Sequence, residues 1–298
     1  MTMGRSKLSS LAACVLLSLW GSSALAQERL SRRESMRSIV TPSLIWRFDA
    51  GASITTQPVG SALVTLPHLG ATVGVPGVGI PWRGLEFSAN VADFVVAPSP
   101  PAFGYVPQLA LTQRLSPSAS YPVTAEVRDA FELALRLQLG VDPILGKPFR
   151  IGGSIPLVFR APDVLRIDLV PGLFYQAVYE RGLLDAPLRV LLQLADSFYL
   201  AAVSGVSSDL RDAKSTTIPL GAQLGVTVPG DFGPLLDVIV DAGFPALFGP
   251  ARSTSKVYTD EFRVMATFRL FTFWDLNASD PNQSSDAEAK RRRCGEIP

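Results

Sequence analysis

The sequence predicts an all-β protein, a single antiparallel up-and-down transmembrane β-barrel of about ten strands, within a range of roughly eight to twelve. Three observations support this fold class. The segment 123–142 alternates apolar and polar residues at a period of two. The same alternation recurs in successive segments that are separated by turns. After residue 26, no apolar run is long enough to form a membrane-spanning helix.

The segment 123–142 carries the argument for a membrane. Its odd positions are apolar from Val123 to Val141, with Asp129 as the single exception, and its even positions are mostly polar. Ordinary strands are about 5–6 residues long. A longer strand with an apolar face needs an apolar environment, and a lipid bilayer provides one. A helix is the competing interpretation, but at about 100° per residue Leu133, Leu135 and Leu137 would spread around its axis.

Further strands follow from the same alternation along the chain. They are predicted over residues 44–55, 85–96, 103–115, 149–160, 165–180, 188–200, 217–228, 236–244 and 261–274. Residues 57–84 have broken periodicity and many Gly and Pro residues, which predicts a long loop in which 62–73 could add strand residues. Residues 181–187 and 205–215 are predicted as a turn and a polar loop.

The first 26 residues predict a secretory signal peptide. Arg5 and Lys7 precede an apolar run, and Ala24-Leu25-Ala26 fits the small-x-small cleavage pattern. An uncleaved anchor helix and a lipoprotein modified at Cys14 are the alternatives. Cleavage would leave Cys294 as a single thiol, which excludes an intramolecular disulfide.

The rest of the chain divides into three parts. Residues 27–43 are a polar, arginine-rich N-terminal arm, which is expected to be mobile in the periplasm; a plug or an interfacial helix is the alternative. Residues 44–275 form the predicted barrel. Residues 276–298 are expected to be a disordered polar tail, and the basic run 290–293 near its end is typical of a solvated tail.

The predicted signal, the alternating strands across 44–274 and the aromatic ending resemble bacterial outer-membrane β-barrel proteins as a broad class. That ending comprises Phe268, Phe271, Phe273 and Trp274. The resemblance implies export to the outer membrane of a Gram-negative bacterium and contact with outer-membrane lipid. It also implies recognition of the last strand by the barrel-insertion machinery. The sequence departs from the class pattern because a polar tail follows that strand.

Catalytic and cofactor chemistry has little support in the sequence, and we expect neither an enzyme nor a cofactor. His68 is the one histidine, and no adjacent serine completes a nucleophile–base pair. No cysteine pair or histidine cluster has zinc-ligand spacing. The formal net charge of +1 gives no field for binding nucleic acid.

The polar rows of the predicted strands carry charges of both signs. A lysine or arginine facing lipid costs about 2–4 kcal/mol near the bilayer midplane, so these residues are expected to face the lumen. The predicted lumen-facing residues are Arg47, Asp49, Glu126, Arg128, Glu132, Arg136, Arg150, Arg160, Arg166, Asp168, Glu180, Arg189, Asp237, Asp241, Glu261, Arg263 and Arg269.

The near balance of these charges predicts mutual pairing inside a narrow barrel. The sequence therefore predicts an outer-membrane β-barrel protein that is either structural or porin-like, with a charge-lined lumen for a small solute. Two alternatives stay open. One is a lipid-modifying barrel enzyme that uses His68 as its base, and the other is a secreted soluble β-barrel binding module.

Overall fold

The structure is a computed structural model. It describes residues 30–42, 45–56, 62–75, 84–92, 95–97, 108–116, 127–140, 150–161, 163–177, 180–229, 235–249, 257, 259 and 261–273. The barrel lies in a compact unit of residues 26–272. A second unit comprises residues 1–25 and 273–298, of which the described residues include Phe273 alone.

Antiparallel strands account for most of the described residues. A single 3₁₀ turn, η1 (Glu34–Met36), precedes them. The strands are β1 (Ile45–Thr56), β2 (Ala62–Val75), β3 (Leu85–Ala92), β4 (Val95–Ala97), β5 (Gln108–Arg114), β6 (Phe131–Gly140), β7 (Arg150–Ser154), β8 (Leu157–Ala161), β9 (Leu165–Leu169), β10 (Gly172–Gln176), β11 (Arg181–Ala195), β12 (Phe198–Asp209), β13 (Asp212–Pro229), β14 (Leu235–Phe248) and β15 (Arg263–Phe273). Among the described residues, no helix is long and apolar enough to cross a membrane.

The sheet closes on itself, because strands that follow one another in the chain are paired and the last strand, β15, pairs with the first strand, β1. Three of the barrel strands are interrupted. β3 and β4 both pair with β2, β7 and β8 both pair with β6, and β9 and β10 both pair with β11. Counting each interrupted strand once, the described residues form a barrel of twelve strands. β1 begins and β15 finishes at the same end of this barrel, which we call the terminal end; the opposite end is the far end.

Alternating burial shows which face of the wall is apolar. In β6, Leu135, Leu137 and Leu139 are exposed, whereas Glu132 and Ala134 on the alternate positions of the same strand are fully buried. The same inversion occurs in β8, where Phe159 is exposed and Arg160 is buried. Charged and hydroxyl side chains therefore lie inside the barrel and large apolar side chains outside, the reverse of a water-soluble domain. A wall of this kind suits a barrel surrounded by hydrocarbon.

Twelve strands replace the predicted ten for two reasons. Residues 62–75, predicted as mainly loop, form β2, which pairs with β1 along its length despite its Gly and Pro residues. Residues 181–209, predicted as one strand between a turn and a loop, form the β11–β12 hairpin, in which Leu192 lies opposite Leu200. The turn at 196–197 is accompanied by a register shift between Gln193 and Ala195. That shift keeps the apolar row on even-numbered positions on both sides of the turn, so the alternation does not mark the reversal.

The segment 123–142 also differs from its prediction. The described strand is β6, at 131–140; Val127 to Ala130 are described and lie outside any strand, and 123–126 lie outside the described residues. The alternation itself is correct over β6. The hydrogen bond that Val127 N donates to Met36 O (2.8 Å) joins the residues before β6 to the N-terminal residues instead of to a neighbouring strand.

Candidate functional site

Residues 30–42, here called the inner segment, occupy the lumen at its terminal end. Leu30, Met36 and Val40 are each less than 5% exposed. The side chains that contact the inner segment come from β3, β6, β8, β9, β11, β13, β14 and β15. Because these strands lie all around a closed barrel, the inner segment must run inside it. This arrangement corresponds to the plug alternative and not to a mobile arm.

Local hydrogen bonds give the inner segment its shape. The 3₁₀ turn is closed by Arg37 N, which donates to Glu34 O (3.2 Å). Upstream, Arg37 Nε donates to Ser31 O (2.9 Å), and the N–H of Arg33 donates to Ser31 Oγ (3.2 Å). The turn therefore places the Glu34 carboxylate and the Arg37 guanidinium side by side, with Arg37 Nη1 2.7 Å from Glu34 Oε2.

Arg37 is the centre of the charge network. Its guanidinium donates to both carboxylate oxygens of Asp237 in β14 and to Thr227 Oγ1 (3.1 Å) in β13. Its Cζ lies 4.9 Å from the centre of the Phe271 ring. Burial by itself lowers the pKa of Arg37, but Glu34 and Asp237 outweigh it and raise the pKa above its ordinary value. The guanidinium therefore stays charged in a site from which water is excluded.

Glu34 pairs with arginines of the wall as well as with Arg37. Arg189 Nη2 is 3.2 Å and Arg269 Nη1 is 4.0 Å from its Oε1. Burial by itself raises the pKa of Glu34, but Arg37, Arg189 and Arg166 together hold it well below its ordinary value. The carboxylate is therefore ionised across the physiological range.

The wall also binds the main chain of the inner segment. The amides of Ser35, Ile39 and Thr41 donate to side-chain oxygens of Gln193, Glu132 and Glu86 at 3.1, 3.1 and 2.6 Å, in that order. In return, Arg160 and Arg166 donate to carbonyl oxygens of the segment at 2.7–3.0 Å. Buried peptide groups must be hydrogen-bonded, and here wall side chains take the place of a neighbouring strand.

The two ends of the inner segment are fixed differently. At its start, Arg33 pairs with Asp163 (2.5 Å) and Asp196 (2.6 Å), which lie in connections at the terminal end. At its finish, the chain passes against Gly74 of β2. A Cβ atom on residue 74 would lie 1.9 Å from Pro42 O, so only glycine allows this approach.

The structure brings many of the predicted lumen-facing residues together at the terminal end. Fully buried Glu132 pairs with Arg160 and, at 3.0 Å, with Arg114. Asp168 bridges Arg166 and Arg189, each at 2.7 Å. A third group joins Asp49 to Arg47 (3.1 Å) and Arg269 (2.9 Å), and Asp237 pairs with Arg37.

Other predicted residues lie toward the far end. Arg136 donates to Thr112 Oγ1 (3.0 Å), and Asp241 accepts from Gln223 Nε2 (2.7 Å). The guanidinium of Arg150 lies over the Phe174 ring, 4.4 Å from its centre. A cavity of about 210 Å³ lies beside this pair. It is lined by Gln108, Gln138, Leu139, Gly140, Arg150, Phe174 and Asp185.

Five predicted residues are not part of these groups. Arg128 and Glu180 are exposed and lie in connections, because β6 begins at Phe131 and β10 finishes at Gln176. Arg263 is exposed at the first position of β15, and Glu261 is half-buried just before it. Glu126 lies outside the described residues. His68 lies in β2 opposite Gly51.

The sequence prediction of the site omitted the inner segment and some of its partners. Glu34 and Arg37 were assigned to the arm, and Arg114, Gln193 and Thr227 were not singled out. One signal was present, because the arm combines Glu34 and Arg37 three residues apart with apolar Leu30, Met36 and Val40. Its hydrogen-bond partners in the strands are 45 to 200 residues away in sequence, and no local pattern identifies them.

No protein-family model and no curated protein matches the sequence. Three similar solved structures are the NanC porin, the KdgM porin in complex with disordered oligogalacturonate, and an outer membrane channel from Pseudomonas putida F1. Their identities to this chain are 9%, 8% and 10%, and their TM-scores are 0.46, 0.45 and 0.46. The matches cover 77%, 76% and 80% of this chain and 100%, 99% and 98% of those chains.

The closed antiparallel wall, apolar outside and charged inside, defines the class of protein. This is the architecture of bacterial outer-membrane β-barrel proteins, as the resemblance in the sequence implied. In this chain, residues 30–42 occupy the lumen at its terminal end.

Proposed function

We propose that this protein is a porin-like outer-membrane channel whose terminal end is closed by the inner segment. The observation that carries the proposal is the buried network of Glu34 and Arg37 with Asp237, Arg166 and Arg189 inside the barrel. If the protein served only as a scaffold, side chains of the wall could fill the barrel interior. Here a separate stretch of chain fills it, and such a stretch can leave.

The apolar exterior supports a membrane location. Exposed leucine, valine, isoleucine and phenylalanine side chains occur on β3, β6, β10, β13 and β15, among other strands. A secreted soluble module would expose this surface to water and aggregate, which disfavours that alternative. The predicted signal at 1–26 supports export to the outer membrane of a Gram-negative bacterium. In this proposal the terminal end faces the periplasm, and small solutes pass through the channel.

Opening requires that the inner segment be held by reversible contacts. Its polar contacts with the wall include ion pairs, hydrogen bonds and a cation–π contact, all of which are reversible. Removing one partner of a buried ion pair costs about 3–5 kcal/mol, because the other charge is left buried and unpaired. The closed state is therefore sensitive to a single side chain at the centre of the network.

Planar-bilayer conductance of the refolded protein tests the proposal. Wild-type protein should be mostly closed, and Arg37→Ala should raise the open fraction by at least about tenfold, because Asp237 and Glu34 lose their shared partner. Arg33→Ala is the matched control, because Arg33 lies on the same segment but pairs with exposed residues. The open fraction of Arg33→Ala should equal that of wild type. If Arg37→Ala inserts as a folded barrel yet conducts no more than wild type, the protein is a structural barrel.

The alternative of a lipid-modifying enzyme has a simple test. The enzyme hypothesis needs His68 as the base, since the chain has one histidine. We expect His68→Ala to leave the composition of co-reconstituted lipid unchanged relative to wild type. A lipid product formed by wild type and lost in His68→Ala would favour the enzyme over the channel.

A further inference from the structure

The wall of the terminal-end lumen is built to hold a polypeptide main chain. Between Glu34 and Thr41, three amides of the inner segment donate to Gln193, Glu132 and Glu86. Four of its carbonyl groups accept hydrogen bonds from the barrel: those of Glu34, Ser35, Met36 and Arg37. Contacts to the main chain do not depend on which side chains the segment carries, so they support polypeptides as the class of ligand.

The donors and acceptors on the wall are themselves held in place. Glu132 is fixed by Arg114 and Arg160, and Arg166 is fixed by Asp168 at 2.7 Å. Glu132, Arg160 and Arg166 are all nearly inaccessible to solvent. A site whose side chains are already oriented by one another loses little entropy when a ligand enters. These residues therefore form a preorganised site and not a surface that the segment shapes around itself.

Two further contacts select side chains. The Glu34 carboxylate lies against Arg189, and the Arg37 guanidinium forms a two-pronged pair with Asp237. The wall thus presents a positive charge to Glu34 and a negative charge to Arg37, which lies three residues further along the same segment. Bidentate guanidinium–carboxylate pairs add geometric specificity to the ionic attraction.

From these contacts we infer that the terminal-end lumen is a binding site for a polypeptide in which a single tight turn joins an acidic residue to an arginine three positions later. The inner segment is its resident occupant. A second peptide of the same chemistry binds there when the inner segment has left. The inference rests on the proposed function, because the site must be vacated, and it adds the class of ligand that the vacated lumen takes.

The test uses the full-length Arg37→Ala protein in detergent, with a fluorescein-labelled synthetic peptide of residues 30–42 as the probe. The variant keeps Asp237, so the peptide supplies the arginine that the chain lacks. We expect saturable binding to Arg37→Ala, and binding at least tenfold weaker to wild type, where the resident segment competes. A scrambled peptide and a peptide that itself carries Arg37→Ala should each bind at least tenfold more weakly.

A second variant covers the case in which Arg37→Ala does not fold. Gly74→Ala pushes on Pro42 O and changes none of the charged side chains. A peptide of residues 30–40 avoids the crowded position and should bind this variant. An added Asp237→Asn change should weaken binding of either peptide, because the bidentate pair is lost.

The outcomes separate this inference from the proposed function. Peptide binding without conductance in Arg37→Ala supports the site and rejects the channel. Conductance without peptide binding supports the channel and overturns the site. Equal binding of the peptide to wild type and to Arg37→Ala also overturns the site, because it places the peptide elsewhere on the protein.

Discussion

The two ends of the lumen have the same kind of wall but different contents. At the terminal end, Glu132, Arg160, Arg166 and Asp237 are buried and paired, and the inner segment covers them. Toward the far end, the contact of Arg150 is the ring of Phe174, and no carboxylate among the described residues forms an ion pair with Arg136 or Arg150.

In the proposed channel, a charge-lined wall does not by itself close the lumen. Among the described residues, arginines line both ends, and a separate stretch of chain covers them at the terminal end. The far end keeps a cavity of about 210 Å³ beside Arg150. The following predictions compare matched changes at the two ends, from the largest expected effect to the smallest.

The largest effect is expected for Glu132→Ala. Glu132 pairs with Arg114 and Arg160 and accepts from the amide of Ile39, so its removal leaves buried Arg160 without its paired carboxylate and Arg114 with Asp129 alone. We expect the free energy of unfolding to fall by about 3–5 kcal/mol. The matched change at the far end is Asp241→Ala, which loses one contact to Gln223 and should lower it by about 1 kcal/mol. Urea titration in detergent, followed by tryptophan fluorescence, measures both; equal losses would contradict the comparison.

A smaller effect is expected for added methyl groups. Gly74→Ala should release the inner segment and raise the rate of tryptic cleavage after Arg37 by about tenfold, which corresponds to about 1.4 kcal/mol. At the far end, a Cβ on Gly140 would lie 3.3 Å from Arg150 Cβ, a contact that a shift of a few tenths of an ångström relieves. Cleavage in Gly140→Ala should therefore match wild type, as mass spectrometry of timed digests would show. Protection of the Arg37 bond in Gly74→Ala would mean that the segment is held without this close approach.

A still smaller effect is expected for Arg33→Ala. Its partners Asp163 and Asp196 are exposed in connections at the terminal end, and exposed ion pairs contribute little. The rate of cleavage after Arg37 should change by less than about twofold. A rise comparable to that of Gly74→Ala would show that the segment is anchored at its start and not along the lumen.

Glu34 is not expected to change the open fraction of the channel between about pH 7 and pH 4.5. Its pKa lies below the ordinary value of 4.5, so its contribution to the closed state is fully present above that value. The contribution is lost only as the pH falls further, through the lowered pKa. Conductance recorded at both pH values should agree. Opening of wild type at pH 4.5 but not at pH 7, with Glu34→Gln open at both pH values, would contradict this account.

The wall of the barrel followed from the sequence to a large extent. Alternation alone places Leu135, Leu137 and Leu139 on one face of β6 and Glu132 and Arg136 on the other, because successive side chains of a strand point in opposite directions. The strand count did not follow, because a register shift beside the turn at 196–197 keeps the alternation in phase from β11 into β12. Pairing between neighbouring strands, and not the local pattern, reveals that reversal.

By itself, the sequence determined that this chain forms a barrel with an apolar exterior and charged residues on its inner row. Only the tertiary structure decided which charges meet and what fills the lumen. The pairing of Arg37 with Asp237 joins residues 200 positions apart, and it depends on barrel closure to bring β14 and the N-terminal residues together. Local periodicity reports which face of a strand is buried, whereas the contents of a lumen depend on contacts between distant parts of the chain.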